Sequence, residues 1–334
     1  MSKAVSLLDL EPDSGDFMEE ALAGLRKQPA TLPCKYFYDK RGANLFEQIC
    51  ELPEYYPTRT EVGILRQHLA EAAQLIGPQT RIVEYGSGAG EKIRLLLDNL
   101  EKPSAYTPID ISREQLVHAS QLLQHDYPAL EVLPVCADYA AELSLPTPVK
   151  PFDRTLVFFP GSTIGNFNPD EALGFLKRFH RLCLQGAEAG MLLIGYDLKK
   201  DRATLEAAYN DSQGVTAEFN LNLLHRINNE LDGHFAIDQW DHEARWNESN
   251  GAMEMHLVSR TEQVARINGD TFPFKTGQSI HTENSFKYSN AEFKSLAEAA
   301  GFDRIRDWRD AEHKFEVGLY QAVVPTESTD GPTD

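Results

Sequence analysis

The sequence predicts an α/β fold: a parallel sheet covered by helices on both faces, interrupted by an α+β insertion. Three observations carry this. Five strand-and-helix units follow one another up to Asp197. That alternation resumes near Ser289. Between Leu198 and Phe286 the texture changes to helical spacing followed by short alternating segments.

The elements follow in order. Val62, Leu65, Leu69, Ala72, Ala73 and Ile76 recur at helical spacing between Glu61 and Gly77. The apolar strand 81–85 leads through glycines into a helix over 93–100. A second strand covers 105–110, and Ser112 with Gln115 reads as a capping box opening a helix through Leu116, Ala119 and Leu123. Strands are expected at 131–136 and 155–159. Asn168 as N-cap and Pro169 at the first helical position open a helix containing Leu173, Leu176 and Phe179. The fifth strand is 190–195. After the insertion, Ser289 and Glu292 form a second capping box, Gly301 ends that helix, and strands 304–308 and 315–324 close a sheet edge. Within the insertion, Phe219, Leu223, Ile227 and Leu231 mark a helix, and 235–240, 253–257, 262–267 and 279–283 read as antiparallel strands. The N-terminal segment is expected to join the insertion. This gives one domain from residues 59–197 and 287–325, a second from 17–58 and 198–286, and a polar, disordered tail over 326–334.

Composition narrows the function classes. Apolar residues make up 42 % of the 334, enough for a sizeable core, and the net charge is −19. So acidic a chain repels phosphate backbones and anionic lipid, so neither nucleic acid nor membrane is an expected partner. No stretch has the length of a signal peptide core or a membrane span. Cys34, Cys50, Cys136 and Cys183 form no C-x-x-C, as in a reduced, cytoplasmic compartment. The ten histidines form no H-E-x-x-H, and no metal site is expected. A monomer acting on a small molecule is the expectation.

The chemistry starts at Glu84-Tyr-Gly86-Ser-Gly88-Ala-Gly90, between the first strand and its helix. Glycines there allow positive φ and close approach of a ligand to the backbone. Residue 91 is Glu, so the third glycine comes one place early for a dinucleotide fingerprint, which counts against a nicotinamide-dependent dehydrogenase. Asp110 ends the second strand, where a carboxylate can accept both hydroxyls of a ribose. Asp138 follows the third strand at the height of an adenine. Each acid alone is a common turn or cap residue. Together, at the carboxyl ends of consecutive strands, they indicate a nucleoside site. The arrangement resembles the Rossmann-like sheet of class I S-adenosylmethionine (SAM)-dependent methyltransferases. That resemblance implies that Gly86 and Gly88 approach the methionine part, Asp110 the ribose and Asp138 the adenine, with Tyr139 also in the cofactor site.

Three further segments sharpen the match: 35–46 with 52–61, Phe159-Pro-Gly161-Ser-Thr-Ile-Gly165-Asn166, and Glu283-Asn-Ser285-Phe-Lys287-Tyr288. They resemble the signatures of the L-histidine Nα-methyltransferase family, which makes trimethylhistidine (hercynine) on the way to ergothioneine, from about Leu32 to Val324. The resemblance implies that Asn166 and Tyr209 hold the amino and carboxylate end of the substrate, with Tyr55 helping and Gly161 nearby. It implies that Tyr38 sits beside the reacting amine, with Tyr38 and Asn166 as the catalytic pair. Glu283 and Ser285 would bond the imidazole, Met255 would line its pocket, and Lys92 would meet the SAM carboxylate. Tyr85 departs from relatives that carry an aliphatic residue there. Taken singly, Tyr38, Tyr55 and Tyr209 also read as core tyrosines, Asn166 as a turn residue, Glu283 as a strand-edge charge and Lys92 as a surface lysine. A scaffold methylating another amino acid or amine, and a SAM-binding module without turnover, are the alternatives.

Overall fold

The computed structural model describes residues 6–10, 15–88, 90–138 and 143–325; Tyr139 and the tail 326–334 lie outside the described residues. A short strand β1 (Leu8–Asp9) and helix α1 (Gly15–Leu25) precede β2 (Ala30–Thr31), a 3₁₀ turn (Cys34–Phe37), α2 (Lys40–Glu51) and α3 (Tyr56–Ile76). The alternating region comprises β3 (Thr80–Tyr85), α4 (Glu91–Leu97), β4 (Ala105–Asp110), α5 (Arg113–Asp126), β5 (Glu131–Val132), β6 (Val135–Cys136), β7 (Arg154–Phe159), a 3₁₀ turn (Thr163–Asn166), α6 (Pro169–Cys183) and β8 (Met191–Asp197). Then come α7 (Arg202–Tyr209), α8 (Val215–Glu230), β9 (Trp240–Asn247), β10 (Ala252–Ser259), β11 (Gln263–Ile267), β12 (Asp270–Phe274) and β13 (Ser279–Phe286). Helix α9 (Asn290–Ala299), β14 (Phe302–Arg309) and β15 (Phe315–Ala322) close the chain.

The main sheet runs β1-β6-β4-β3-β7-β8-β15-β14, with β5 also beside β4. Strands up to β8 are parallel, and β15 lies antiparallel between β8 and β14. Ile82, Val83, Leu156, Val157, Leu192 and Leu193 are fully buried, which is why these strands read as continuous apolar runs. Strand β3 has β4 on one side and β7 on the other, so the strand order reverses at its carboxyl end, where doubly wound sheets bind ligands.

Several elements differ from the sequence reading. The strand expected at 131–136 is broken by Leu133-Pro134, because proline offers no N–H to a ladder. Ser112 is an N-cap, yet its side chain makes no capping bond; its backbone N–H goes to Asp110 instead. The capping boxes at Asn168 with Glu171 and at Ser289 with Glu292 are both present. The strand expected at 235–240 is a 3₁₀ turn (Ile237–Gln239), and the strand begins where that reading ended, at Trp240. Strand β12 was not anticipated; it pairs with β11 across Asn268-Gly269, both at positive φ.

The N-terminal segment and the insertion meet in two ways. Strand β2 adds in parallel to β13, completing the sheet β2-β13-β10-β9. One apolar cluster draws Phe17, Phe37, Leu45 and Tyr55 from the N-terminal segment and Leu205, Phe219, Met253 and Met255 from the insertion. The faces of the main sheet carry separate clusters. No helix among the described residues is long and apolar enough to cross a membrane.

Candidate active site

Gly86, Gly88 and Gly90 all have positive φ (73°, 48° and 78°). At Gly88 a Cβ would meet nothing within 4 Å, so the backbone angle, not crowding, calls for glycine and leaves open space beside the loop. The Gly86 N–H donates to the Ile109 carbonyl at 2.8 Å, and the Gly88 N–H to Asp110 Oδ2 at 3.2 Å. Asp110 Oδ1 accepts from the Ser112 N–H at 2.9 Å. The acid is thereby pinned at the end of β4, and burial raises its pKa.

Lys92, in the first turn of α4, donates to Glu61 Oε2 at 2.5 Å. Glu61 is 1 % exposed and also accepts the Gly161 N–H at 3.0 and 2.9 Å. One carboxylate thus ties α3, the glycine-loop helix and the loop after β7 together. Asp138 accepts from Lys35 Nζ at 3.1 Å, and Lys35 also donates to Glu20 at 2.9 Å. The N-terminal segment thereby reaches the acid that follows β6. Tyr139 lies outside the described residues.

The other half of the site is the inner face of β13. Met255 pairs with Glu283 and Met253 with Ser285, but His256 pairs with His281, leaving Thr282 as the extra residue of a bulge. The fully buried Ile280 fixes the inner face, and strict alternation from it would send Glu283 outward. The extra residue brings Glu283 back to the side shared with Ser285 and Lys287. Thr282 is held by Asn220 at 2.8 Å and the Met255 carbonyl at 3.0 Å. The Glu283 carboxyl makes no hydrogen bond to a described residue; burial pushes its pKa up to about 7, with Lys287 opposing.

Behind Ser285 lies a buried polar network. Tyr209 Oη donates to Ser285 Oγ at 2.8 Å. Lys287 Nζ donates to Tyr209 Oη at 2.8 Å, to Ser285 Oγ at 2.8 Å and to Asp197 Oδ2 at 2.9 Å. Asp197, wholly buried at the end of β8, also accepts from Tyr56 Oη at 2.9 and 2.7 Å and from Lys200 Nζ at 2.6 Å. One carboxylate serves two ammonium groups. Burial pushes Lys200 down to about 8 despite Asp197; burial also pulls Lys287 down, but Asp197 and Tyr209 together outweigh it and hold Lys287 above the usual lysine value.

Aromatic rings close the remaining side. Tyr38 packs edge-on against Phe46 and Phe219, each at 5.7 Å, and Tyr55 against Tyr209 at 6.1 Å. Burial holds the Tyr55 hydroxyl far above its ordinary pKa, and the negative forms of Tyr209, Cys50, Tyr38 and Glu283 act on it in the same sense. Burial and then Glu283, with smaller contributions from Glu171 and Asp138, push the Cys34 thiol to about 12.

Asn166 ends a 3₁₀ turn that packs on β13, and its side chain makes no hydrogen bond to a described residue. The preceding Gly165 makes this approach possible: a Cβ there would lie 2.7 Å from the Phe286 carbonyl oxygen. Gly165→Ala is expected to cost about 1–3 kcal/mol as overpacking. By lifting Asn166 from the strand it should also raise KM for the amino-acid substrate about tenfold. Steady-state kinetics alongside denaturant unfolding will check this; an unchanged KM means that the turn yields without moving Asn166.

The structure therefore gathers Tyr55, Tyr209, Met255, Glu283 and Ser285 on one side, with Tyr38 and Asn166 at its margins and Gly86, Gly88, Lys92, Asp110, Asp138 and Gly161 along the sheet edge. The sequence reading missed Glu61, Lys35, Asp197 and Lys287 as members. Asp197 was detectable by the argument applied to Asp110, an acid at the carboxyl end of a parallel strand. No cluster of three or more His, Cys, Asp or Glu among the described residues is arranged to hold a metal ion.

Comparison with known proteins identifies the family. Residues 17–322 match the family described as histidine-specific methyltransferase, SAM-dependent. The chain is 39 % identical over 305 residues to histidine N-alpha-methyltransferase of Mycobacterium tuberculosis (strain CDC 1551 / Oshkosh), covering 90 % of this chain and 93 % of that protein. It is 33 % identical over 288 residues to ergothioneine biosynthesis protein 1 of Neurospora crassa, covering 84 % of this chain and 32 % of that longer protein. It is 28 % identical over 325 residues to 4-dimethylallyltryptophan N-methyltransferase of Claviceps purpurea, covering 91 % and 93 %. A glycine loop with two strand-end acids on a doubly wound sheet is thus joined to a family match over nearly the whole length: this chain belongs to the SAM-dependent, histidine-specific methyltransferases.

Proposed function

We propose that this protein methylates the α-amine of L-histidine three times, giving hercynine for ergothioneine biosynthesis, as a cytoplasmic monomer with no nucleic-acid partner. In this reading residues 59–197 and 287–325 bind the donor, and residues 17–58 and 198–286 bind the amino acid. The observation that carries it is the Glu283 carboxyl, held on the inner face of β13 beside Ser285 without a protein hydrogen-bond partner among the described residues. An imidazole N–H supplies that partner; an aliphatic side chain does not.

The residues present fit SAM: a glycine loop with open space at Gly88, a pinned Asp110, an Asp138 reached by Lys35, and Lys92 at the helix start. SAM supplies a methyl group activated by its sulfonium. The chain's own residues do the rest. Asn166, Tyr209 and Tyr55 orient the amino and carboxylate end, and Met255 lines the ring pocket. An α-amine with a pKa of about 8 is mostly protonated at neutral pH, so a proton leaves before each transfer, past Tyr38. Holding amine and methyl in line contributes about 7 kcal/mol or more. The tyrosine faces accommodate the growing ammonium through cation–π contact.

Mass spectrometry of histidine incubated with SAM and enzyme is expected to show successive gains of one, two and three methyl groups. A panel of free amino acids tests the neighbouring reading. Turnover of another amino acid in preference to histidine would displace this one, and absence of turnover with every amine would leave a SAM-binding module.

A further inference from the structure

We propose that Lys287, anchored by Asp197, is a specificity-determining residue: it fixes the Ser285–Tyr209 hydroxyl pair as a hydrogen-bond donor, so that the site reads a neutral imidazole with one N–H and one bare nitrogen. This rests on the histidine reading and adds the protonation state of the ring.

The inference is a count of hydrogens and lone pairs. The Lys287 ammonium has three hydrogens, and its contacts use all three: Tyr209 Oη, Ser285 Oγ and Asp197 Oδ2. Ser285 Oγ has two lone pairs, taken by Lys287 and by the Tyr209 hydroxyl. With the Tyr209 hydroxyl donating to Ser285, the hydrogen left to spare is that of Ser285 Oγ. Neither hydroxyl has a further acceptor among the described residues. Ser285 is 4 % exposed, Tyr209 7 % and Lys287 2 %, so bulk water does not meet that hydrogen. It is left for a ligand. Ser285 and Glu283 stand two residues apart on one face of β13 past the bulge. The face therefore presents one donor from the hydroxyl pair and, from the Glu283 carboxyl, an oxygen that accepts in either protonation state.

An imidazolium matches only half of this pattern. Its second N–H would meet a hydroxyl whose lone pairs are occupied, backed by a buried ammonium. A pyrrole or phenyl ring leaves the donor unpaired, and sites built this way reject analogues that lack the matching atom. The charged or titratable groups near these positions are Glu283 on β13, Lys287 just after it, Tyr209 from α7, Tyr55 before α3, Tyr38, Cys34 from the first 3₁₀ turn, and Asp197 behind Lys287. Among them Lys287 is the one cation in hydrogen-bond contact with the hydroxyl pair.

The test is a nitrogen NMR spectrum of isotope-labelled histidine bound to the full chain with S-adenosylhomocysteine at about pH 6, where a free imidazole is largely protonated. The wild-type protein is expected to hold a ring with one protonated and one bare nitrogen. In Lys287→Met a Ser285 lone pair is released, and the bound ring is expected to take the second proton. Both nitrogens protonated in the wild type overturns the proposal, and so does a bare nitrogen retained in Lys287→Met. Should Lys287→Met fail to fold, the wild-type spectrum decides alone. Histidine that does not bind the wild type at all would instead defeat the histidine reading.

Discussion

Glu283→Ala is expected to weaken histidine binding by about two orders of magnitude while leaving SAM binding nearly unchanged. The carboxyl lacks a protein hydrogen-bond partner among the described residues, so its contact with a ring N–H is not shared. A hydrogen bond to a charged group contributes about 1.5–3 kcal/mol, and stranding the buried ring N–H adds to the loss. In the proposed reading SAM is held by Gly88, Asp110, Lys92 and Asp138, whose hydrogen bonds run to one another, Glu61 and Lys35 rather than to Glu283. Isothermal titration of the variant with each ligand separates the two halves of the claim, and unchanged histidine affinity would defeat the assignment. The isosteric Glu283→Gln controls for unfolding. Burial raises the folded-state pKa of Glu283 to about 7, above its unfolded value. The stability it contributes is therefore present below the unfolded value and lost as pH rises through about 7. Above pH 7 the glutamine variant removes a buried charge and should unfold no more easily than the wild type, so a loss of affinity there reports the contact and not collapse.

How far the sequence disclosed this arrangement depends on the range of the forces involved. Strands β3, β4, β7 and β8 were legible because burial on both faces leaves an apolar run bounded by turns. The caps at Asn168 and Ser289 were legible because their partners lie three residues away. Ser112 looked the same, yet Asp110 claimed its N–H, a competition that spacing does not show. Glu283 illustrates a deeper limit. It was found through family resemblance, while strict alternation from Ile280 would have placed it outside; a bulge held by Asn220 on α8 turns it in. Asn220 lies 62 residues from Thr282, beyond any local pattern. The Glu61–Lys92 and Lys35–Asp138 pairs were hidden for the same reason, since each joins segments that only the folded chain brings together.

Asp197→Ala is expected to destabilise the protein by about 3–5 kcal/mol, because it strands two buried cations rather than deleting one contact. Lys287 and Lys200 have side chains only 1 % and 8 % exposed, and both point at this carboxylate. Burial works against the charge of Asp197, yet Lys287 and Lys200 outweigh it and hold its pKa below the ordinary value. The sign for pH follows. With the folded value below the unfolded one, the stabilisation is present above the unfolded value of about 4 and is lost as pH falls through the folded one. Urea unfolding at neutral pH should show a lower midpoint with an unchanged slope. Asp197→Asn, which keeps the shape and loses the charge, should flatten the acid limb of the stability profile. Such a loss is large against the roughly 5–15 kcal/mol that holds a folded domain together, so an ion pair this deep is an expensive way to make a core. Its position gives it a use, because the carboxylate fixes the ammonium that fixes the hydroxyls behind the substrate face. If Asp197→Ala lost less than about 1 kcal/mol, the two lysines would have found water or other acceptors, and the rigid anchor required behind Ser285 would not exist.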